Sequence, residues 1–410
     1  MDLDVINQLD QSVSNWSDYN RIYYHPRSIN PIVTHEIDND ITPFDNFNIG
    51  RQAYRDNEKE LELFDENFRF FVEECDNLQG FQMMVDVDDG FGGFSESLLH
   101  DIRDEFAKAP IFLYGLSDSR AVYRNERQKQ KIMLNRALSL TRLSQLASVY
   151  IPIYTPTNAM ADKCGLSSYL QFNDNSKYHT SAIVAAAIDN NSIPYRLTRP
   201  QLSMGDVMTK IVQANNSRLA SLSVSIPLPI LAKGYRETME TFKFDDQLKP
   251  LLPLLQSYSK QSTDVYSEIV VTRGLPVNYP KDRTMYIERL LSTFKDTNDL
   301  LHTNVDIEAA LPLPESFPHI FKACFDSNGY ISHGQSNHDS LQSIPILTHF
   351  ESGSRLKHYV DRHIENVDTI DFKDFHEYAE GEIPITREDF LQMKEELITL
   401  SDTYNTDEDF

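Results

Sequence analysis

Residues 79–99, QGFQMMVDVDDGFGGFSESLL, constrain the fold of this chain more than any other stretch. The apolar run over 81–87 predicts a buried strand, and Ser95 is a suitable N-cap for a helix that continues to about residue 107. A second apolar run at 110–116 predicts another strand. A strand, a glycine-containing loop, a helix and a strand in this order favour a parallel sheet with crossover helices, and therefore an α/β fold.

The loop between this strand and helix holds Gly90, Gly92 and Gly93, although the whole chain of 410 residues has only 14 glycines. Glycine lets backbone N–H groups approach an anion closely, and the N-terminus of a helix attracts negative charge. The loop is therefore a candidate phosphate site. The alternative is a tight strand-to-helix turn that needs glycine for steric reasons only. Asp88 and Asp89 precede the glycines, which raises the question of why a phosphate site would carry two negative charges.

Apolar patterns predict further elements along the chain. A helical period begins near Glu58 and ends at Cys75, and Thr386 with Asp389 forms a variant capping box before a C-terminal helix. Residues 300–350 are loop-rich and show few clear periods. Further helices are predicted at 126–146, 176–189, 204–214, 285–294, 355–366 and 386–400, and further strands at 149–154, 219–226 and 267–274.

Charge and cysteine usage restrict the partners and the compartment. The formal net charge of −24 opposes direct binding to nucleic acids and to anionic lipid surfaces. The three cysteines are far apart and match no disulfide or zinc pattern, which indicates a reducing compartment. No apolar run reaches the roughly 20 residues of a membrane span, and the acidic N-terminus lacks the positive charge of targeting sequences. His358 and His363 do not share a helix face, so we predict surface histidines rather than metal ligands.

Several stretches resemble the tubulin family. CDNLQGFQ at 75–82, followed by DDGFGG and LLHDIRDEF, is similar to the tubulin run that contains the glycine-rich phosphate loop and the next helix. Asn46 and Gly50 resemble an earlier nucleotide loop, and Asn135 resembles the asparagine that contacts guanine in tubulins. The closer resemblance is to the Misato family of tubulin-related proteins, because NWSDYNRIYYHPRSI at 15–29 is similar to a stretch that these proteins have and tubulins lack.

The resemblance implies a tubulin-like α/β fold in which the nucleotide chemistry is altered. Asp88 and Asp89 replace two loop glycines, Phe91 replaces a threonine, and the SIPLPI stretch at 225–230 lacks the acid that completes the hydrolytic site in tubulins. We therefore expect no catalytic residue and no cofactor. If GTP is retained, the resemblance assigns Asp88 and Asp89 to a Mg²⁺ contact, and it assigns the nucleotide to Asn46, Gly50, Gly90, Gly92, Gly93 and Asn135.

The Misato resemblance further implies a function and a domain plan. The expected function is a non-hydrolysing scaffold for mitochondrial partitioning, morphology and DNA inheritance; the alternative is a polymer-forming GTPase. We expect protein partners, a peripheral position on the cytosolic face of mitochondria and a cytoplasmic pool. The family's first strand unit has no counterpart here, from which we expect low stability. The predicted parts are an extended segment (1–50), a nucleotide-domain remnant (51–205), an intermediate domain (206–350), C-terminal helices (351–400) and an acidic tail (401–410).

Overall fold

The computed structural model describes most of the chain, including all of residues 43–199 and 341–404. The helix predicted at 285–294, residues 19–22 of the Misato-like stretch and the last six residues of the predicted acidic tail lie outside the described residues. The other described ranges are 9–13, 15–18, 23–36, 201–212, 217–234, 237–238, 251–255, 265–275 and 301–332.

A parallel sheet of three strands lies in the first half of the chain, as the sequence predicts. Its strand order is β1–β2–β3, with Phe81 opposite Ile111 and Phe112 opposite Val149. The inner strands are apolar along their whole length because helices cover both faces. β1 is paired on one side only among the described residues, and its Met84 is 60% exposed. The strands are β1 (Phe81–Asp86), β2 (Ile111–Ser117) and β3 (Val149–Tyr154).

The helices around this sheet follow the predictions closely, with two differences. The helix after β1 begins at Phe91, with Gly90 as its N-cap, so the prediction of Ser95 as N-cap was wrong. The helix before β1 begins at Phe47, earlier than predicted, and a left-handed residue, Glu62, ends it before one π-helical turn. The helices are α1 (Phe47–Leu61), α2 (Arg69–Glu73), α3 (Phe91–Glu105), α4 (Glu126–Leu146), α5 (Asn158–Lys163), α6 (Lys177–Arg196) and α7 (Met204–Val212).

A second, mixed sheet has five strands in the order β5–β4–β10–β6–β7. β10 lies between β4 and β6 and is antiparallel to both, and β7 pairs with β6 in parallel. The prediction that 300–350 is loop-rich was therefore partly wrong. The strands that follow β3 are β4 (Ser221–Ser225), β5 (Leu252–Pro253), β6 (Val265–Arg273), β7 (Leu301–Ile307), β8 (Leu311–Pro312), β9 (Ser343–Ile344) and β10 (Ile346–Gly353).

The polar side chains of β7 and β10 explain why these two strands were missed, whereas β4 and β6 were predicted. Glu268 of β6 is buried and bonded to His302 of β7 at 2.7 Å and to His349 of β10 at 2.5 Å. Burial alone would raise the pKa of Glu268, but these two hydrogen bonds lower it to about 2. Cross-strand pairing thus satisfies polar side chains that, in sequence, are typical of loops.

Two C-terminal helices, α8 (Arg355–Asp368) and α9 (Arg387–Asp402), pack on each other and on α4. The capping box of Thr386 and Asp389 is confirmed, with both of its reciprocal hydrogen bonds present. His363 corrects the prediction of two surface histidines: it lies on the inner side of α8, where burial, then Arg136, lowers its pKa to about 3. α1 continues through residue 50, where the predicted extended segment ends and the predicted nucleotide-domain remnant begins. The other predicted domain boundaries remain predictions.

Candidate functional site

The predicted site residues lie together at the carboxyl end of β1. Asp88 and Asp89 follow the strand, and the three loop glycines begin α3. Asn46 is the N-cap of α1, where its side chain accepts a hydrogen bond from the Ile49 N–H at 2.9 Å. The sequence therefore identified one region of the fold, although the contacts within it differ from those of a nucleotide site.

Asn135 of α4 is fully buried, and all of its hydrogen-bonding groups are used within the chain. Its Nδ2 donates to the carbonyls of Asp45 at 2.9 Å and Asp88 at 2.8 Å. Its Oδ1 accepts from the Phe47 N–H at 3.0 Å and from the Tyr378 hydroxyl at 2.7 Å. An amide has two donor hydrogens and two acceptor lone pairs, so this arrangement leaves none for a base.

Asp88 forms a bidentate ion pair with Arg136, the residue after Asn135. Its Oδ1 lies 2.6 Å from Arg136 Nε, its Oδ2 lies 2.8 Å from Nη2, and the two side chains are 13% and 11% exposed. The Asp118 N–H also donates to Oδ2 at 2.9 Å. One of the two negative charges at the loop is thus neutralised inside the protein, with geometry that favours a strong pair.

Asp89 plays a different part from Asp88. Its Oδ1 accepts a hydrogen bond from the Phe91 N–H at 2.9 Å, which helps to begin α3. Burial, followed by the negative charge of Asp86, raises the pKa of Asp89 to about 8. The carboxyl of Asp89 therefore lies in a negative environment that disfavours a further anion.

The glycines allow α1 and α3 to approach each other closely. A Cβ on Gly50 would lie 1.6 Å from the Gly90 carbonyl oxygen, and one on Gly93 would lie 1.8 Å from the Phe47 carbonyl oxygen. A Cβ on Gly92 would lie 2.3 Å from Ser139 Oγ. These positions need glycine for helix packing, which is the steric alternative that the sequence left open.

Two other predictions concern hydrolysis and metal binding. Leu228 and Ile230 of the SIPLPI stretch are fully buried and apolar, and the stretch contains no acid. Within the described ranges, histidine, cysteine, aspartate and glutamate side chains form no group of three that could hold a metal ion. Among the helices that the structure describes, none has the length and apolar character required to cross a membrane.

Sequence reasoning missed three residues that complete the region. Arg136 pairs with Asp88, Tyr378 covers Asn135, and Phe44 lies 2.8 Å from where a Cβ on Gly90 would be. Arg136 could have been found, because a buried helix position beside an uncompensated aspartate calls for a cation. Tyr378 carried no such signal, since it is 243 residues from Asn135 in the sequence.

Comparisons with known proteins agree with this fold. A family model described as a tubulin domain matches residues 7–197. Protein DML1 of Gibberella zeae is 33% identical over 219 residues, which cover 52% of this chain and 43% of that protein. Protein dml1 of Aspergillus clavatus is 29% identical over 336 residues, covering 78% and 64%. Both alignments span less than two thirds of the relative's own length.

A human relative extends the similarity along nearly the whole chain. Human protein misato homolog 1 is 24% identical over 418 aligned positions, which cover 96% of this chain and 71% of that protein. Together with the parallel sheet, its crossover helices and the mixed second sheet, these matches confirm the predicted α/β, tubulin-like fold. The chain therefore has a tubulin-like fold and is similar to the proteins named DML1 and misato homolog 1.

Proposed function

We propose that the protein is a non-hydrolysing, tubulin-like scaffold that takes part in mitochondrial partitioning, morphology and DNA inheritance. The observation that carries the first half of this proposal is the filled region at the carboxyl end of β1. Asn135 is bonded only to groups of this chain, and Asp88 is held by Arg136. Protein groups thus take the contacts that the resemblance would assign to a nucleotide.

Binding a nucleotide there would require several buried contacts to be broken. Tyr378 would have to leave Asn135, and each lost buried hydrogen bond costs about 1–3 kcal/mol when its partner stays unsatisfied. A phosphate beside the loop would also face the carboxyl of Asp89 and its neighbour Asp86. These costs favour a scaffold that works without GTP.

A polymer-forming GTPase is the second candidate. The match to a tubulin domain and the glycines at the N-terminus of α3 favour it. Asp89 and the apolar SIPLPI stretch oppose it, because the first lies in surroundings that Asp86 makes negative and the second offers no hydrolytic acid. A Mg²⁺ ion held by the loop aspartates would reverse the first objection.

The mitochondrial half of the proposal rests on the role that the Misato family resemblance implies. The net charge of −24 opposes direct attachment to anionic lipids, so we propose that a protein partner holds the chain at the cytosolic face of the outer membrane. A cytoplasmic pool is then expected, because such a contact is reversible.

Titration of labelled GTP, with and without Mg²⁺, tests the proposal that the protein is a non-hydrolysing scaffold. We expect no turnover by the wild type, by Asp89→Gly, or by Tyr378→Ala, which removes the side chain over Asn135. Asp374→Gly, at the exposed end of a 3-10 helix, is the matched control for the first variant. Hydrolysis by the wild type that increases with protein concentration would instead establish the GTPase.

Complementation tests the proposed mitochondrial role. In cells depleted of their own homologue, the wild-type chain should restore mitochondrial distribution and retention of mitochondrial DNA, measured by microscopy and quantitative PCR. Asp89→Asn should restore both equally well, because a scaffold does not need the charge of the loop. Normal mitochondria in the depleted cells would contradict the mitochondrial role.

A further inference from the structure

A cavity of about 650 Å³ lies at the amino ends of β2 and β3, opposite the loop region described above. Its walls are the C-terminal turns of α3 and α4, one side of α7, and Arg218, which precedes β4. Cavities of this volume accommodate a small organic molecule or a mononucleotide-sized ligand. Its polar lining residues are Arg103, Lys108, Gln145, Ser148, Thr209 and Arg218.

The lining is cationic in a strongly acidic protein. Arg103, Lys108 and Arg218 line the cavity, and no aspartate or glutamate is among its described lining residues, whereas the whole chain carries a net charge of −24. Burial, followed by the nearby guanidinium of Arg218, lowers the pKa of Arg103. Two like charges therefore face each other without a neutralising acid between them.

Backbone carbonyls at the helix ends hold both guanidinium groups in place. Arg103 donates to the carbonyls of Leu146 at 2.6 Å and Ala109 at 2.7 Å. Arg218 donates to the carbonyls of Gln145 and Ala147 through Nη1. Such contacts stabilise the ends of helices, and they supply a structural reason for the two arginines.

Capping does not use all of the donors that this pair presents. Nε and Nη2 of Arg218 make no hydrogen bond within the described part of the chain, and the exposed Lys108 lines the same cavity. A guanidinium fixed on one edge and free on the other is prepared for a bidentate contact with a phosphate or carboxylate. Met208 and Val212 of α7 add an apolar wall to the same cavity.

We propose that this cavity is a binding site for a small polyanion that carries at least two phosphate or carboxylate groups. Arg218 binds one group through its free edge, Lys108 binds the other as a mobile point charge, and Arg103 contributes positive potential. The site is separate from the loop region and does not depend on the scaffold proposal.

Isothermal titration at low salt with pyrophosphate and, separately, with citrate tests the proposal and distinguishes phosphate from carboxylate ligands. We expect binding of at least one probe that weakens as salt increases. Arg218→Gln should weaken it about tenfold or more, because a charge-assisted bidentate contact is lost. Lys108→Gln should weaken it about threefold to tenfold, and the exposed control Lys163→Gln should leave it unchanged.

Two outcomes would overturn the proposal: no binding of either probe at millimolar concentration, or binding that neither Arg218→Gln nor Lys108→Gln weakens. Because Arg218 also caps α4, the melting temperature of Arg218→Gln is measured first to show that the variant folds. Arg218→Lys keeps the positive charge but cannot form the bidentate contact of a guanidinium, so it should bind with intermediate affinity.

The same variants separate this site from the loop region when GTP is the probe. GTP binding that Arg218→Gln removes and Tyr378→Ala preserves supports the cavity and leaves the scaffold proposal standing. GTP hydrolysis that Arg218→Gln preserves contradicts the scaffold proposal alone.

Discussion

The two ends of the parallel sheet are chemical opposites. At the carboxyl end, Arg136 pairs with Asp88 and Tyr378 bonds to Asn135, while the surroundings of Asp89 stay negative. At the amino end, three cations line an open cavity that contains no described acid. In α/β proteins the carboxyl end usually binds ligands. Here the end expected to bind is closed by the chain itself, and the end expected to be structural is open.

The contacts at the carboxyl end explain why the loop residues are needed for the fold itself. The glycines are necessary because α1 and α3 pack closely there. A Cβ on Gly50 would lie 1.6 Å from the Gly90 carbonyl oxygen. The contacts to Asn135 stay necessary because an unsatisfied buried amide is costly. Sequence features that resemble a nucleotide site can therefore be required for packing alone.

The largest expected effect comes from opening the carboxyl end by Arg136→Ala. This change leaves Asp88 charged and unpaired at a site where both side chains are nearly buried, which should cost about 3–5 kcal/mol in the free energy of unfolding. Urea denaturation measures the loss. Arg142→Ala, which removes a more exposed ion pair on the same helix, should cost less than about 1 kcal/mol. Equal losses in the two variants would mean that the Asp88 pair does not hold this end closed.

A somewhat smaller effect is expected from Gly50→Ala. The added Cβ would lie 1.6 Å from the Gly90 carbonyl oxygen, so α1 and α3 must move apart, at a cost of about 1–3 kcal/mol or more. The control is Gly205→Ala in α7, where the nearest atom is 3.7 Å away and stability should rise by about 0.5 kcal/mol. Thermal unfolding of both variants tests whether the glycines serve packing; an unchanged melting temperature for Gly50→Ala would argue against it.

Tyr378→Phe should have a more modest effect. It removes one hydrogen bond to Asn135 without changing the shape of the core, and the expected cost is about 1 kcal/mol. Tyr123→Phe, at an exposed side chain, should be neutral and is the matched control. Tyr378→Phe also frees the Asn135 Oδ1 to accept a hydrogen bond from a nucleotide base. If GTP still fails to bind, that free acceptor is insufficient to make a nucleotide site.

The sequence predicted the local elements well and the contacts between distant segments poorly. α4 and β3 have the predicted bounds, because a long helical period and a continuous apolar run are strong local signals. β10 was missed because His349 and Glu351 are typical of loops until the buried partner Glu268 is known. Tyr378 over Asn135 and the guanidinium pair at the amino end depend on tertiary packing, which no window of sequence contains.

The smallest expected effect is a pH dependence that belongs to the carboxyl end alone. The pKa of Asp89 is about 8 in the folded chain, above the usual value near 3.9, so the folded state binds this proton more tightly than the unfolded state does. The associated stability is fully present below about pH 4 and is lost as the pH rises towards 8. Because the side chain is partly exposed, solvent screening should limit the effect to less than about 1 kcal/mol.

Asp89→Asn should therefore match the wild type near pH 4 and exceed its stability near pH 9, while its amide still accepts the hydrogen bond from Phe91. Arginine does not titrate in this range, so the stability difference between Arg218→Gln and the wild type should be the same at both pH values. Denaturation curves at pH 4.5 and pH 9 measure both differences. A pH-independent difference for Asp89→Asn would mean that Asp89 is an ordinary surface carboxylate, and the electrostatic contrast between the two ends of the sheet would then rest on the Asp88–Arg136 pair and the cationic cavity.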